Sequence, residues 1–260
     1  MALFALWSNR LRTLLSLLGI SIGIFTVVTV FTLVDSWELR IRSSLSNLGN
    51  DVIYVQKWPW SFGGDYPWWK YMNRPEPSYR EFVELGRRSS GRASIALVTE
   101  LTLEQVKGGG EELENVSTSA VTQDYPVLRE FELEAGRFFR PSESASGDRV
   151  VVLGSKVAGQ LFGTPASALD QRVVCMGQKA RVVGVLRLEG NNAVNTSLDE
   201  IILLPFNWLR KVKGTQIEDY EPLLMARSTK AVPVAEFKAE MRGHMRAIRR
   251  LPRAKRTILP

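Results

Sequence analysis

Few residues in this 260-residue chain have the type and spacing to do covalent chemistry. There is one cysteine, Cys175, and one histidine, His244. A lone cysteine excludes an intrachain disulfide framework and a cysteine-caged zinc. A lone histidine excludes a two-histidine metal site and leaves any Ser-His-Asp arrangement resting on His244. That residue falls on a predicted helix between Arg242 and Arg246, where a surface histidine is the expected reading. Gly154-Ser155 continues as Lys156-Val157 and lacks the G-x-S-x-G frame of a nucleophile elbow. Gly108-Gly-Gly110 leads into Glu111 with no lysine, and no P-loop pattern occurs anywhere. The acidic pairs Glu111-Glu112 and Glu130/Glu132 fall in turns or on strand faces as solvated charge. No catalytic residue, cofactor-binding residue or metal ligand is assigned, and the chain reads as a non-enzyme.

Two sequence features suit binding instead. Trp58, Trp60, Trp68 and Trp69 are four of the seven tryptophans, close to Phe62, Tyr66 and Tyr71. They read either as a patch for lipid or a partner protein, or as a long loop packing its own aromatics. Pro59, Gly63-Gly64 and Pro67 favour the folded-back loop. Gly19 and Gly23 form G-x-x-x-G, with Ser16, Ser21 and Thr26 nearby. Such small residues let a second helix approach closely inside a membrane.

The net charge of +7 is concentrated at the two ends. Residues 236–260 carry eight Lys/Arg and two acids, and Arg10 and Arg12 precede the first apolar run. The rest of the chain is close to neutral, so no nucleic-acid partner is expected. The basic tail reads as the solvated face of a helix, with anionic headgroups as the other reading.

These features depend on an element near the N-terminus. Thr13 to Val34 is uncharged over 22 residues. As a helix it would be about 33 Å long, enough to cross a hydrocarbon core of roughly 30 Å. Arg10 and Arg12 before it, and Asp35 and Glu38 after it, place residues 1–12 in the cytoplasm. A cleaved signal peptide would have a shorter apolar region and small residues at its end. Residues 1–12, with Leu3, Leu6, Trp7 and Arg10, read as an amphipathic segment at the inner interface. No second apolar run of comparable length follows.

Residues 35–49 extend the span as a stalk helix stopped by Gly49. A mixed domain over 50–232 follows. Strands are expected at Asp51 to Val55, Leu101 to Val106, Val116 to Val121, Leu128 to Leu133 and Val150 to Leu153. Further strands are expected at Arg172 to Met176, Ala180 to Leu186, Ile201 to Leu204 and Tyr220 to Ala226. A short helix is expected from Ser155 to Phe162. Ser78-x-x-Glu81 predicts a capped helix before Phe82 and Leu85. Pro233 predicts the first turn of another, with Val234, Phe237, Met241, Met245 and Ile248 on one face. Residues 233–260 are expected to form a return stalk and basic tail. Without regular βαβ alternation, the fold class is α+β.

The ordered segments resemble a known family. Asn9 to Gly23 looks like the first transmembrane helix of MacB/FtsX-type ABC transporter permeases. Leu45 to Val55 resembles their stalk-to-strand junction. Gly136-Arg-Phe-Phe139, Val150 to Ser155, Leu161-Phe-Gly163, Val182 to Val185 and Asp199 to Pro205 resemble segments of their periplasmic core domain, in order. The stretch Gln56 to Tyr71 resembles the version found in Bacteroidota.

The resemblance implies a permease subunit of the bacterial plasma membrane, with its main domain periplasmic. It implies two permease copies and a separate cytoplasmic ABC ATPase that binds the ATP, so no cofactor is expected on this chain. Family members have four spans, and this sequence stops at Pro260 where the second would begin. The chain therefore reads as the N-terminal part of a permease for export or extraction. The alternative reading is a single-pass anchored binding or scaffold protein without transport.

Overall fold

The structure is a computed structural model that describes residues 10–46, 51–58, 69–89, 91–190, 197–214 and 220–251. Helix α1 (Arg10–Ser46) is unbroken over 37 residues, a length of about 55 Å. Its middle is rich in Ile, Val and Thr, which are mediocre helix formers in water. In an apolar surrounding, a helix instead satisfies every backbone group internally.

Among the described residues the sheet has nine strands, all joined in one surface. They are β1 (Val52–Val55), β2 (Ala93–Gly108), β3 (Glu111–Val121), β4 (Leu133–Gly136), β5 (Val150–Leu153), β6 (Arg172–Cys175), β7 (Gln178–Leu186), β8 (Ile201–Pro205) and β9 (Leu223–Ser228). The order is β1-β9-β2-β3-β8-β5-β7-β4, with β6 bridging β2 and β7. The β3/β8 and β5/β7 pairs are parallel and the others antiparallel. This mixed sheet bears out the α+β class.

Both faces of the sheet are buried, which explains the continuous apolar strands. In β5, Val151 and Leu153 point to one core while Val150 and Val152 point to the other. Ile202 and Leu204 of β8 join the first core, and Leu203 the second.

Helices cover the first face. They are α3 (Tyr79–Ser89), α6 (Ser155–Phe162), α7 (Phe206–Lys213) and α8 (Val234–Ile248). They contribute Leu85, Val157, Leu161, Phe206, Trp208, Phe237, Met241 and Met245. Short helix α4 (Tyr125–Leu128) and the aromatic loops around Phe131, Phe138 and Phe139 cover the second face. Two other short helices are α2 (Trp69–Met72) and α5 (Pro141–Ser146).

The capping box predicted for α3 forms. The Ser78 hydroxyl accepts the Glu81 N–H at 3.2 Å, and Glu81 accepts the Ser78 N–H at 3.1 Å. Pro233 is the N-cap of α8. The phenylalanine, both methionines and Ile248 of its predicted stripe pack on the first core.

One expected strand differs. Leu128 to Leu133 is not a strand: α4 ends at Leu128 and β4 starts at Leu133. Pro126 favours a first helical turn. The Glu130-Phe131-Glu132 alternation belongs to a loop whose Phe131 ring packs between Tyr125 and Phe138. Strand β2 is also longer than predicted, because Ala93 to Val98 is a nearly unbroken buried run without alternation.

Candidate functional site

Leu14–Ser36 of α1 is long and apolar enough to cross a membrane, and none of it is buried within the protein. Leu17, Ile20, Ile24, Phe25, Val28 and Phe31 are all exposed around the helix. Three threonines in this stretch hide their hydroxyl hydrogens locally. Thr26, Thr29 and Thr32 donate to the carbonyls of Ile22, Phe25 and Val28 at 2.8–2.9 Å. At Gly19 and Gly23 nothing lies within 4 Å of where a Cβ would stand. Spaced one turn apart, they leave a shallow notch on one helix face. The helix continues beyond Ser36 to Ser46 without a break.

The tryptophan group is divided. Trp58 is half-buried, with the Lys57 ammonium 5.4 Å from its ring centre. Lys57 is paired with Glu76 at 3.3 Å. Gln56, Glu221, Pro222 and Leu223 complete a small groove around this pair. Trp69 opens α2 and is 61% exposed. Trp60 and Trp68 lie outside the described residues.

The groups that could do chemistry are placed as follows. His244 Nε2 lies 3.5 Å from Glu240 Oε1, one turn away on α8. Cys175 is buried in the first core, and burial pushes its thiol up to about 12. Little thiolate therefore forms near neutral pH. Among the described residues, no group of three or more His, Cys, Asp and Glu could hold a metal ion.

The segments that carried the resemblance are structural clamps. Gly136 has φ +77°, and a Cβ there would stand 2.4 Å from the Val183 carbonyl oxygen. This close approach lets Arg137 follow β4 and reach Glu143 with both guanidinium nitrogens at 2.7 Å. The Arg140 N–H adds a third bond to Glu143 at 2.8 Å. The Arg137 hydrogen bonds hold the Glu143 carboxyl down at about 2 against burial, with help from the Arg140 N–H.

Gly154 is equally constrained, because a Cβ there would stand 2.4 Å from the carbonyl oxygens of Leu198 and Asp199. Asp199 is buried and accepts the Glu189 and Gly190 N–H groups at 2.8 and 3.0 Å. Glu189 returns a bond by accepting the Leu198 N–H at 3.2 Å. A third clamp joins helices: Arg249 at the end of α8 grips Glu81 of α3 at 2.6 and 3.0 Å. Sequence reasoning did not single out Glu143 or Asp199. The available signal for Glu143 was Pro141 with an acid two residues on, a helix-start pattern.

An apolar helix followed in sequence by a mixed-sheet domain is the architecture of a membrane-tethered domain. Residues 13–244 match the family described as MacB-like periplasmic core domain, and the chain belongs to it. It is 26% identical over 206 residues to the macrolide export ATP-binding/permease protein MacB of Marinobacter nauticus. That match covers 79% of this chain and 30% of the relative. It is 27% identical over 218 residues to an uncharacterized ABC transporter permease, YknZ, of Bacillus subtilis. Here the shares are 83% and 52%, so the chain spans from about three tenths to about half of these relatives. The crystal structure of the periplasmic region of MacB from Actinobacillus actinomycetemcomitans superposes with a TM-score of 0.62 at 13% identity. It covers 80% of this chain and 88% of that one, and shows the shared fold.

Proposed function

We propose that this chain supplies the first membrane helix and the extracytoplasmic domain of a MacB/FtsX-type ABC permease. A separate cytoplasmic ATPase hydrolyses ATP, and α1 transmits the resulting motion to the domain for export or extraction of substrate. The N-terminus lies in the cytoplasm of a bacterial plasma membrane and the sheet domain lies outside. A second permease copy packs against the chain inside the membrane, with the Gly19/Gly23 notch as the contact.

One observation carries this reading: α1 is a single helix from Arg10 through the apolar stretch to Ser46. The ten residues past Ser36 add about 15 Å of stiff lever outside the hydrocarbon. A flexible tether would anchor the domain but transmit no displacement. The relatives named as ATP-binding/permease proteins support the pairing with an ATPase.

The test is co-purification in detergent of the permease with the ATPase encoded beside it. The expected result is a stable complex whose ATP hydrolysis depends on the permease. An ATPase that neither associates nor responds would leave an anchored scaffold as the reading.

A further inference from the structure

The sheet face shared by β2, β3 and β8 changes character along its length. Ala96, Val98, Val121 and Leu203 belong to the second core. Further along, Glu100 stands opposite Ser119 and Thr102 opposite Ser117 across the β2/β3 ladder. By strand alternation these four share the face of Ala96 and Val98. Among the described residues the apolar cover stops there, and a cleft of about 520 Å³ opens over them. Tyr125 and Arg129 wall one side, and Ser197 to Ile201 the other.

Two side chains in this cleft are unusual. Ser119 is 1% exposed and Tyr125 is 4% exposed. Both line the cleft, and neither hydroxyl finds a hydrogen-bond partner among the described residues. What little of each residue is exposed opens into the cleft, so each hydroxyl is free to bond a ligand in place of cleft water. Burial holds the Tyr125 phenol up at about 12, so it remains an O–H donor at neutral pH.

The remaining lining restricts the ligand. Arg129 lies 3.9 Å from Glu189, and Glu200 pairs with Lys156 at 2.9 Å. The charged lining residues are Glu100, Glu200 and Arg129, and this acidic excess disfavours a multiply charged anion. The floor strands are already paired, β2 with β3 and β3 with β8. A peptide can pair only with the outer edge of β2 between Val98 and Val106, where neither β9 nor β6 reaches, and trialanine is the comparator for that mode. What the cleft offers is a set of hydroxyls and carboxylates beside the half-buried side chain of Ile201. Sugar hydroxyls donate and accept at once, and sugar rings have apolar C–H faces. The volume lies within the usual range for small-molecule sites of roughly 300–1,000 Å³.

We propose that the cleft between α4 and the 197–201 turn binds a neutral saccharide of one or two rings, held by the Ser119 and Tyr125 hydroxyls. The site is independent of the transmission role, and no ATPase is needed to test it. The full chain is purified in a detergent without a sugar head group and titrated calorimetrically. Chitobiose and maltose are the probes, with trialanine and inorganic phosphate as comparators.

At least one disaccharide binds with one-to-one stoichiometry. Tyr125→Phe keeps the ring packed near Phe131 and removes only the hydroxyl; it weakens binding about fivefold or more. Ser119→Ala does the same by a separate deletion, and melting curves confirm that each variant is folded. Absence of disaccharide binding to the folded chain overturns the proposal. So does unchanged affinity in both variants, or binding of trialanine or phosphate in place of the sugars.

Discussion

Glu143 is held by three hydrogen bonds, two from Arg137 and one from the Arg140 backbone. Its carboxyl titrates at about 2 in the folded protein, against an ordinary value of 4.5. A depressed folded value means that the stabilisation is fully present above about 4.5. It is lost as pH falls from there through about 2, because the unfolded chain binds the proton first. Glu143→Gln is expected to cost roughly 2–3 kcal/mol and to flatten the dependence of the melting temperature on pH in that window. Denaturant unfolding of the two proteins at pH 7 and pH 3 checks both statements.

Gly154 makes a second case at this scale, because a Cβ there meets two backbone oxygens that cannot swing aside. Gly154→Ala is expected to destabilise by roughly 3 kcal/mol, while Gly110→Ala and Gly177→Ala meet no clash but a positive φ. Urea midpoints of the three variants should rank in that order. The sequence exposed Gly154 as part of a motif, but the reason for glycine lies in Leu198 and Asp199, 44 and 45 positions away. No local pattern encodes that approach.

Among the elements, α1 carries the sharpest expectation. Its apolar length was legible at once, since uncharged residues over a full membrane width have few other uses. If the stiff extension past Ser36 transmits motion, a proline at Asp35 should uncouple it. Asp35→Pro removes an internal hydrogen bond and kinks the helix. Domain folding should survive, because the sheet domain has its own two cores. Permease-dependent ATP hydrolysis should fall while the melting transition of the domain stays put. Gly19→Leu, filling the open notch, should weaken copy-to-copy association, read by cross-linking in membranes.

Strands β5, β6, β7 and β8 were equally legible, being short β-branched runs between turns. Helix α7 was not. Phe206, Trp208 and Leu209 are buried in sequence neighbours rather than at helical spacing, and Pro205 sits as its N-cap. The tryptophans separate in the same way. Trp58 packs beneath Lys57, whereas Trp69 is 61% exposed.

The topology of the whole molecule can be read from its single thiol. Cys175 is buried with its thiol near 12, so a membrane-impermeant maleimide should leave the native chain unlabelled. A cysteine placed at exposed Glu111, on the β2/β3 hairpin, should label in intact spheroplasts. One placed at Met1 should label only after lysis. Labelling of both in intact cells would reverse the proposed orientation.

The sequence alone determined what a linear pattern can hold. An uncharged span, positive residues before it and short β-branched runs are each set by neighbours within one turn or one strand. The family followed from the order of those pieces. The tertiary structure decided what depends on partners distant in sequence. It fixed which of two cores each valine in β5 enters, why Gly136 and Gly154 admit no side chain, and where Glu143 and Asp199 clamp the loops. It alone also brought Ser119 and Tyr125 to one cleft. A sheet joins residues through space at spacings that no periodicity records, and a shared cleft exists only after that joining.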